Sequence, residues 1–468
     1  MKRPLAVVAT VGAWALASMA VAASPVARRS LPRALLERED FAALLRPLAG
    51  GARDATGGAA KAIDDAAAVS ALAAAPQPGG PPQPGGEADA PSPGSPARAE
   101  WNTFYSRLAE LERGTRGKVR VAHLGDSEIV GDGVSAALRR AFGARFGAGG
   151  PGFALAMPPV PYYVREGWRH QAGLDFQASS FVDGALPDGA YGPGGVSFKG
   201  FPGARAAVEL QPKLEGPCSV ALTFGKAPDA GTVGVAFDGG EATVLEARAA
   251  VHSLAVHRAS FAACPSRLEI RASGAGPSRV FGWSVESEKH GVVWSSLGTA
   301  GARLAHFTNY DVTELAAALA ALEPDLLVVA YGLNDTQELP PPNHAEELTV
   351  ALGALRDATP SAACLVLGSY PVGRRTESGG VDPLGSIVLR VALAQKTAAE
   401  AEGCAFLDRV ALSGGLDAPY AWSAARPHLI SGDYRHLTVA GAEHMGNLIA
   451  RSLLVGYDAA RPAPDAAR

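Results

Sequence analysis

A serine, a histidine and a carboxylate that can converge will carry out nucleophilic acyl transfer, and this chain offers each of them in a suitable setting. Ser127 ends Gly125-Asp126-Ser127, directly after the alternating run Val119–Leu124. A strand running into such a turn lifts a hydroxyl off the end of a sheet and sets it beside a helix N-terminus, where free N–H groups can meet an oxyanion. Asp433 and His436 lie three residues apart just before the last helical stretch. In a turn, that spacing brings both side chains to one side. His436 can then serve as general base while Asp433 fixes its tautomer. Asn334, in Gly332-Leu-Asn-Asp335, can aim its amide N–H at a developing oxyanion. Gly298 and Ser127 can add backbone N–H donors. Each residue also has a plainer reading. Gly-Asp-Ser is common in turns, Asn caps helices, Gly298 suits any turn, and Asp433 and His436 can be a surface acid and a satisfied imidazole. His436 is one of 10 histidines. Of the others, His123 sits within the Ser127 strand, a structural placement, and His444 within the closing helix, either packed or at the surface. His428 lies near the Asp433 loop, within reach of a substrate.

These residues need a scaffold that brings distant segments to one rim. The pattern predicts a helix over Ala99–Arg113, the Ser127 strand, and a helix over Val134–Phe146. Short alternating runs follow with Gly/Asp turns between them, among them Ala206–Leu210, Cys218–Phe224, Thr232–Phe237, Arg267–Ala272 and Val280–Val285. No helical period appears there, so about 162–288 reads as an all-β sandwich inserted into the first domain. From Gly291 the pattern alternates strand and helix. Strands are expected at Val292–Trp294, Leu326–Tyr331, Cys364–Gly368 and Cys404–Leu407. Helices are expected at Ala302–His306, Val312–Leu322, Ala345–Asp357, Leu384–Ala401 and Val439–Leu454. This is an α/β class fold, a three-layer arrangement with about five parallel strands. Sites in such sheets form at the carboxyl ends of strands, where Ser127, Gly298, Asn334 and the Asp433 loop would all lie.

The 468 residues suffice for two or three domains. Hydrophobic residues at 47% and charged residues at 19% suit a globular chain, and a net charge of -4 leaves no electrostatic footprint for nucleic acid. Lys2 and Arg3, the apolar run Leu5–Ala23 and Ala20-Val-Ala22 read as a signal peptide over 1–23; uncleaved, the same run would be a membrane anchor. Residues 24–99 read as an Ala/Gly/Pro-rich linker, with one short amphipathic stretch at Leu35–Leu48. Four cysteines remain, and an oxidising compartment favours their pairing. Sequence neighbours suggest Cys218–Cys264 and Cys364–Cys404, though three pairings are possible. Their spacing does not suit a zinc site.

Gly-Asp-Ser, Gly298-x-x-Gly301, Gly-x-Asn-Asp and Asp-x-x-His, in that order, resemble the four blocks of the SGNH (GDSL) hydrolase superfamily. The resemblance implies a flavodoxin-like hydrolase domain in two parts, 100–160 and 290–457, with a tail over 458–468. It implies nucleophile Ser127, the Asp433–His436 pair, and an oxyanion hole from Ser127, Gly298 and Asn334, with no metal or cofactor. The β insert at 161–289 resembles the carbohydrate-binding jelly-roll module that interrupts bacterial peptidoglycan O-acetylesterases. Such relatives often carry His after the nucleophile; this chain has Glu128. The expected function is that of an exported, periplasmic or secreted serine esterase. It would remove O-acetyl groups from peptidoglycan or another acetylated polysaccharide, and Trp168, Tyr191 or Trp283 would serve as a sugar platform if they are not core. No nucleic acid is expected as a partner, and a membrane only through an uncleaved N-terminal segment. A glycan O-acetyltransferase with the same triad and a non-catalytic wall-binding protein are the alternatives.

Overall fold

The structure, a computed structural model, describes residues 96–460. The export segment, nearly all of the linker and the end of the tail lie outside the described residues. The first helix, α1, covers Pro96–Glu112, so ordered structure begins slightly inside the stretch read as linker. At the other end the closing helix, Val439–Ala460, runs six residues past Leu454 and into the stretch read as tail.

Strands β1 (Lys118–Gly125), β11 (Gly291–Gly298), β12 (Leu326–Ala330), β13 (Ala363–Leu367) and β16 (Ala405–Leu407) form one sheet in the order β11-β1-β12-β13-β16. Every pairing in it is parallel. The sequence shows why. β12 is Leu-Leu-Val-Val-Ala, buried at every position, as a strand covered on both faces must be. Its side chains divide by the two-residue period. Leu326, Val328 and Ala330 join one apolar cluster with Phe104 and Leu108 of α1 and Met445 and Ile449 of the closing helix. Leu327 and Val329 join another with Leu315, Leu319, Leu348 and Leu352. The helices on the two faces include α2 (Ser127–Val130), α3 (Gly133–Phe146), α4 (Val312–Ala320), α5 (His344–Ala358), α6 (Gly385–Ala401), α7 (Arg409–Leu412), α8 (Ala418–Ala424) and α9 (Val439–Ala460). This is the three-layer fold expected. The segment expected as a helix at Ala302–His306 is instead a 3-10 turn over Leu304–Asn309. Among the described residues no helix is long and apolar enough to cross a membrane.

Nine strands form a second sheet whose pairings are all antiparallel. They are β2 (Gly152–Leu155), β3 (Gly167–Ser180), β4 (Val196–Gln211), β5 (Cys218–Lys226), β6 (Thr232–Phe237), β7 (Thr243–Glu246), β8 (Ser253–Phe261), β9 (Arg267–Ser273) and β10 (Ser278–Ser287). β3, β7 and β8 are not among the runs named above, and β8 has no buried position, being half-buried or exposed along its length, so its apolar signal is weak. β2 was hidden in a stretch rich in Gly and Pro, yet it pairs with β10. A small hairpin, β14 (Gly373–Arg375) with β15 (Val381–Pro383), stands after β13. Disulfides join Cys218 to Cys264 and Cys364 to Cys404.

The loop between β3 and β4 docks on the segment that follows β11. Thr299 Oγ1 donates to Gly194 O at 3.0 Å, Asn309 Nδ2 to Phe181 O at 2.8 Å, and Tyr310 Oη to Gly192 O at 2.8 Å. Phe181 packs on Phe307 and Tyr310. The antiparallel sheet thereby steadies the loop that begins at Gly298.

Candidate active site

Ser127 is the first residue of α2, directly off the carboxyl end of β1. Asp126 caps that helix, its carboxylate accepting from Glu128 N at 3.0 Å. The turn is tight because α2 lies against the strand ends. A Cβ on Gly125 would sit 2.2 Å from Ile129 Cγ1, and one on Gly298 would sit 2.4 Å from the backbone of Ile129 and Val130. Both glycines are therefore demanded by packing. Arg165 Nη1 donates to Ile129 O at 3.2 Å and Val130 O at 2.7 Å, tying down the carboxyl end of α2.

Gly298 pairs with Gly125 in the parallel ladder, and Thr299 N donates to Gly125 O at 2.9 Å. By the alternation of such a ladder, the N–H of Gly298 faces away from β1 and is not spent on that pairing. Asn334 follows β12. Its Nδ2 donates to Ala302 O at 2.9 Å, and its Oδ1 accepts from Gln337 at 3.1 Å. These partners assign the amide orientation. One of the two amide hydrogens is used, leaving the second for another acceptor.

His436 Nε2 lies 3.1 Å from Ser127 Oγ across 309 residues of chain. His436 Nδ1 lies 2.6 Å from Asp433 Oδ2. Tyr434 between them adopts a left-handed conformation, φ 58, and its carbonyl accepts from Gly373 N at 2.8 Å. The other oxygen of Asp433 accepts from Arg435 N at 3.0 Å, His436 N at 3.1 Å and Ser431 Oγ. Partial burial opposes ionisation of Asp433, but the hydrogen bonds from His436, Ser431 and the two amides hold its carboxyl well below the usual carboxylate range. The hydrogen bond to Asp433, reinforced by its charge, raises His436 above its ordinary value of 6.5 against the pull of burial. The Asp433 and His436 side chains are 46% and 49% exposed, so the site opens directly to solvent.

A base must be neutral to accept a proton, and a raised value keeps His436 protonated to higher pH. The acidic limb of kcat/KM should therefore have its midpoint above 6.5, with activity growing as pH rises through it. Asp433→Asn removes the first cause of the shift and should move the midpoint down as well as lowering the rate. A pH profile of p-nitrophenyl acetate hydrolysis checks this; a limb that stays in place would assign the ionisation to another group.

Ser127, His436 and Asp433 are thus brought together, and Gly298 and Asn334 stand on the strand ends flanking them. His123 is fully buried and bonded to Ser135 at 2.9 Å, and His444 is exposed on α9. His428 Nδ1 is engaged by Ser423 O at 2.5 Å. The sugar-platform reading of Trp168, Tyr191 and Trp283 is overturned: all three are buried in the core at 7%, 0% and 1% exposure, so no ring face is offered to solvent. Glu128 is also turned inward. Both of its oxygens lie 2.7 Å from Arg409 Nη1. Sequence reasoning missed Ser431, Arg409, Tyr370 and Arg435 around the site, since a lone Ser, Arg or Tyr carries no spacing signal.

Residues 272–444 match the model of the GDSL-like Lipase/Acylhydrolase family. Over that segment, and in the parallel sheet with its two helical layers, the chain is similar to SGNH/GDSL-type carboxylic ester hydrolases. Gly298, Asn334, Asp433 and His436 fall within the match; Ser127 falls outside it, on the far side of the nine-stranded sheet in sequence. Among solved structures the chain resembles a peptidoglycan O-acetylesterase, with a TM-score of 0.64 at 21% identity over 76% of this chain and 96% of that one. It also matches the Bacillus subtilis protein YXIM at TM-score 0.30 and 17% identity, over 65% of this chain and 90% of that one. A lipase/acylhydrolase from Enterococcus faecalis gives TM-score 0.27 and 14% identity, over 37% and 80%. No curated protein matches the chain.

Proposed function

We propose that the protein is an exported serine esterase that removes O-acetyl groups from peptidoglycan or a related extracellular glycan. The observation that carries this reading is the relay from Ser127 Oγ to His436 Nε2 at 3.1 Å and from His436 Nδ1 to Asp433 at 2.6 Å. Ser127 Oγ attacks the acetyl carbonyl carbon while His436 Nε2 takes its proton. The carbonyl oxygen becomes an oxyanion, met by the N–H of Ser127, the N–H of Gly298 and the spare amide hydrogen of Asn334. Collapse breaks the ester bond, and His436 returns the proton to the departing sugar oxygen. Water, deprotonated by His436, then attacks the acetyl-enzyme; acetate leaves and Ser127 recovers its proton.

Three features support the glycan as substrate. The triad is half-exposed, as an ester on a bulky polymer requires. The fold matches a structure described as a peptidoglycan O-acetylesterase. The antiparallel sheet, spanning most of 161–289, offers an open furrow of about 480 Å³ lined by Gln171, Asp175, Arg205, Arg267, Glu269 and Arg271, polar groups suited to sugar hydroxyls. We assign this insert a carbohydrate-binding role and read the N-terminal segment as an export signal that places the enzyme at the cell wall. The test is acetate release from purified O-acetylated peptidoglycan and from acetylated xylan, with Ser127→Ala as control. Release from peptidoglycan by the wild type alone is expected. Release from xylan only would reassign the glycan. Transfer of acetyl to an added sugar with little free acetate would make the protein a transferase. No release by the wild type from either would refute the proposal.

A further inference from the structure

Glu128 and Arg409 form an ion pair whose side chains are each 1% exposed, immediately behind the nucleophile. Burying two charges is weak as a source of stability, because desolvation consumes most of the attraction. Their neighbours suggest another purpose. Arg409 Nε donates to Gly368 O at 2.5 Å, at the end of β13. The guanidinium lies 5.0 Å from the centre of the Tyr370 ring. Tyr370 Oη donates to Arg435 O at 2.8 Å, the carbonyl directly before His436. Arg435 Nη2 donates to Leu333 O at 2.8 Å and Thr336 Oγ1 at 2.9 Å, on either side of Asn334. Leu333 N donates to Asp126 Oδ2 at 3.2 Å, and Asp126 Oδ1 accepts from Glu128 N. The chain of contacts closes on itself: Glu128, Arg409, Tyr370, Arg435, Leu333, Asp126.

We infer that this closed ring is the positioning device of the active site, with the buried Glu128–Arg409 pair as its fixed point, setting Ser127, Asn334 and His436 relative to one another. It passes beside all three: between Asp126 and Glu128 lies Ser127, after Leu333 comes Asn334, and after Arg435 comes His436. None of its side chains needs to touch substrate. A carboxylate after the nucleophile is the natural choice here, because it can accept both contacts from one guanidinium nitrogen and still leave Nε to hold the β13 end. Tyr370 joins the two halves by presenting its ring face to the cation and its hydroxyl to the histidine loop.

The inference rests on the triad reading above, so the experiment keeps the two apart. Tyr370→Phe deletes one hydroxyl and leaves the packing in place; Glu128→Gln keeps shape and removes one charge. Each is assayed on p-nitrophenyl acetate beside wild type and Ser127→Ala, with thermal unfolding and the rate of Ser127 labelling by a fluorophosphonate as further readouts. Tyr370→Phe should lower kcat about tenfold with KM within twofold, and slow labelling by a similar factor. Glu128→Gln should act in the same direction, and the double variant should lose less than the product of the single losses, because both interrupt one ring. Arg409→Lys, which keeps charge without the fork, should recover less than half of the activity. Wild-type kcat and labelling in Tyr370→Phe and Glu128→Gln, with only a lower Tm, would overturn the inference and leave the pair a core feature. A rise in KM at constant kcat would overturn it too. Failure of the triad reading would show differently, as Ser127→Ala retaining wild-type activity.

Discussion

Ser127→Ala should lower ester hydrolysis by about 10⁴-fold or more, while leaving the melting temperature close to wild type. The substitution removes a single oxygen whose contact is the 3.1 Å approach to His436 Nε2, on a side chain that is only half-buried. Little packing is lost, so a large kinetic effect with a small stability effect is the signature of a nucleophile. His436→Ala should fall nearly as far. Without it the serine hydroxyl keeps its proton near neutral pH, and the departing sugar oxygen has no acid. The double variant should be no worse than the worse single one, since the two act as one unit. A double variant that multiplies the single losses would show that the two residues work independently. The measurement is kcat/KM on p-nitrophenyl acetate for the three variants, with calorimetric or optical melting beside it.

Asn334→Ala should cost about 10²- to 10³-fold in kcat, roughly 3–4 kcal/mol of barrier, with KM within a few-fold of wild type. The asymmetry follows from what the amide does. Its Oδ1 and one N–H hydrogen are committed to Gln337 and Ala302. Those bonds fix its direction before substrate arrives, so the remaining N–H is preorganised for charge that exists only at the tetrahedral stage. Gln337→Ala separates orientation from donation: it frees Oδ1 but retains the donor, and should lose about tenfold or less. Asn334→Asp removes the donor and adds negative charge where an oxyanion must form, and should be the worst of the three. A kcat for Asn334→Ala within threefold of wild type would take Asn334 out of the oxyanion hole. Steady-state kinetics on a soluble acetyl ester distinguish these outcomes.

Much of the scaffold was legible in the chain. β12 declares itself by an unbroken apolar run between Asp325 and Gly332, and α5 and α6 by helical spacing over long stretches. That the strands of the first sheet pair in parallel follows from their alternation with helices, and the antiparallel insert from its crowding of short runs; the spatial order of the parallel strands was not legible. Weakly apolar edges were not legible. β8 alternates little because neither of its faces is buried, and β2 is masked by the turn residues beside it. The 3-10 turn at Leu304–Asn309 replaced a helix because the segment is held by side-chain bonds to the loop after β3, a long-range tie that local spacing does not register. The aromatic residues Trp168, Tyr191 and Trp283 show the same limit. Residue type made them candidates for sugar stacking; burial, which depends on every neighbouring strand, made them core.

By itself the sequence determined which groups were available and in what order: a serine after a strand, an asparagine after another, an aspartate and a histidine three apart before the last helix. Those are local matters, set by turn chemistry and hydrophobic period. Only the tertiary structure decided that residues 127 and 436 meet, that both oxygens of Asp433 are occupied, and that Glu128 turns inward to Arg409. The reason is physical. Contacts across hundreds of residues depend on how two helical layers and a second sheet close over strand ends, and the energy of each such contact is set by burial and partners that no window of sequence contains.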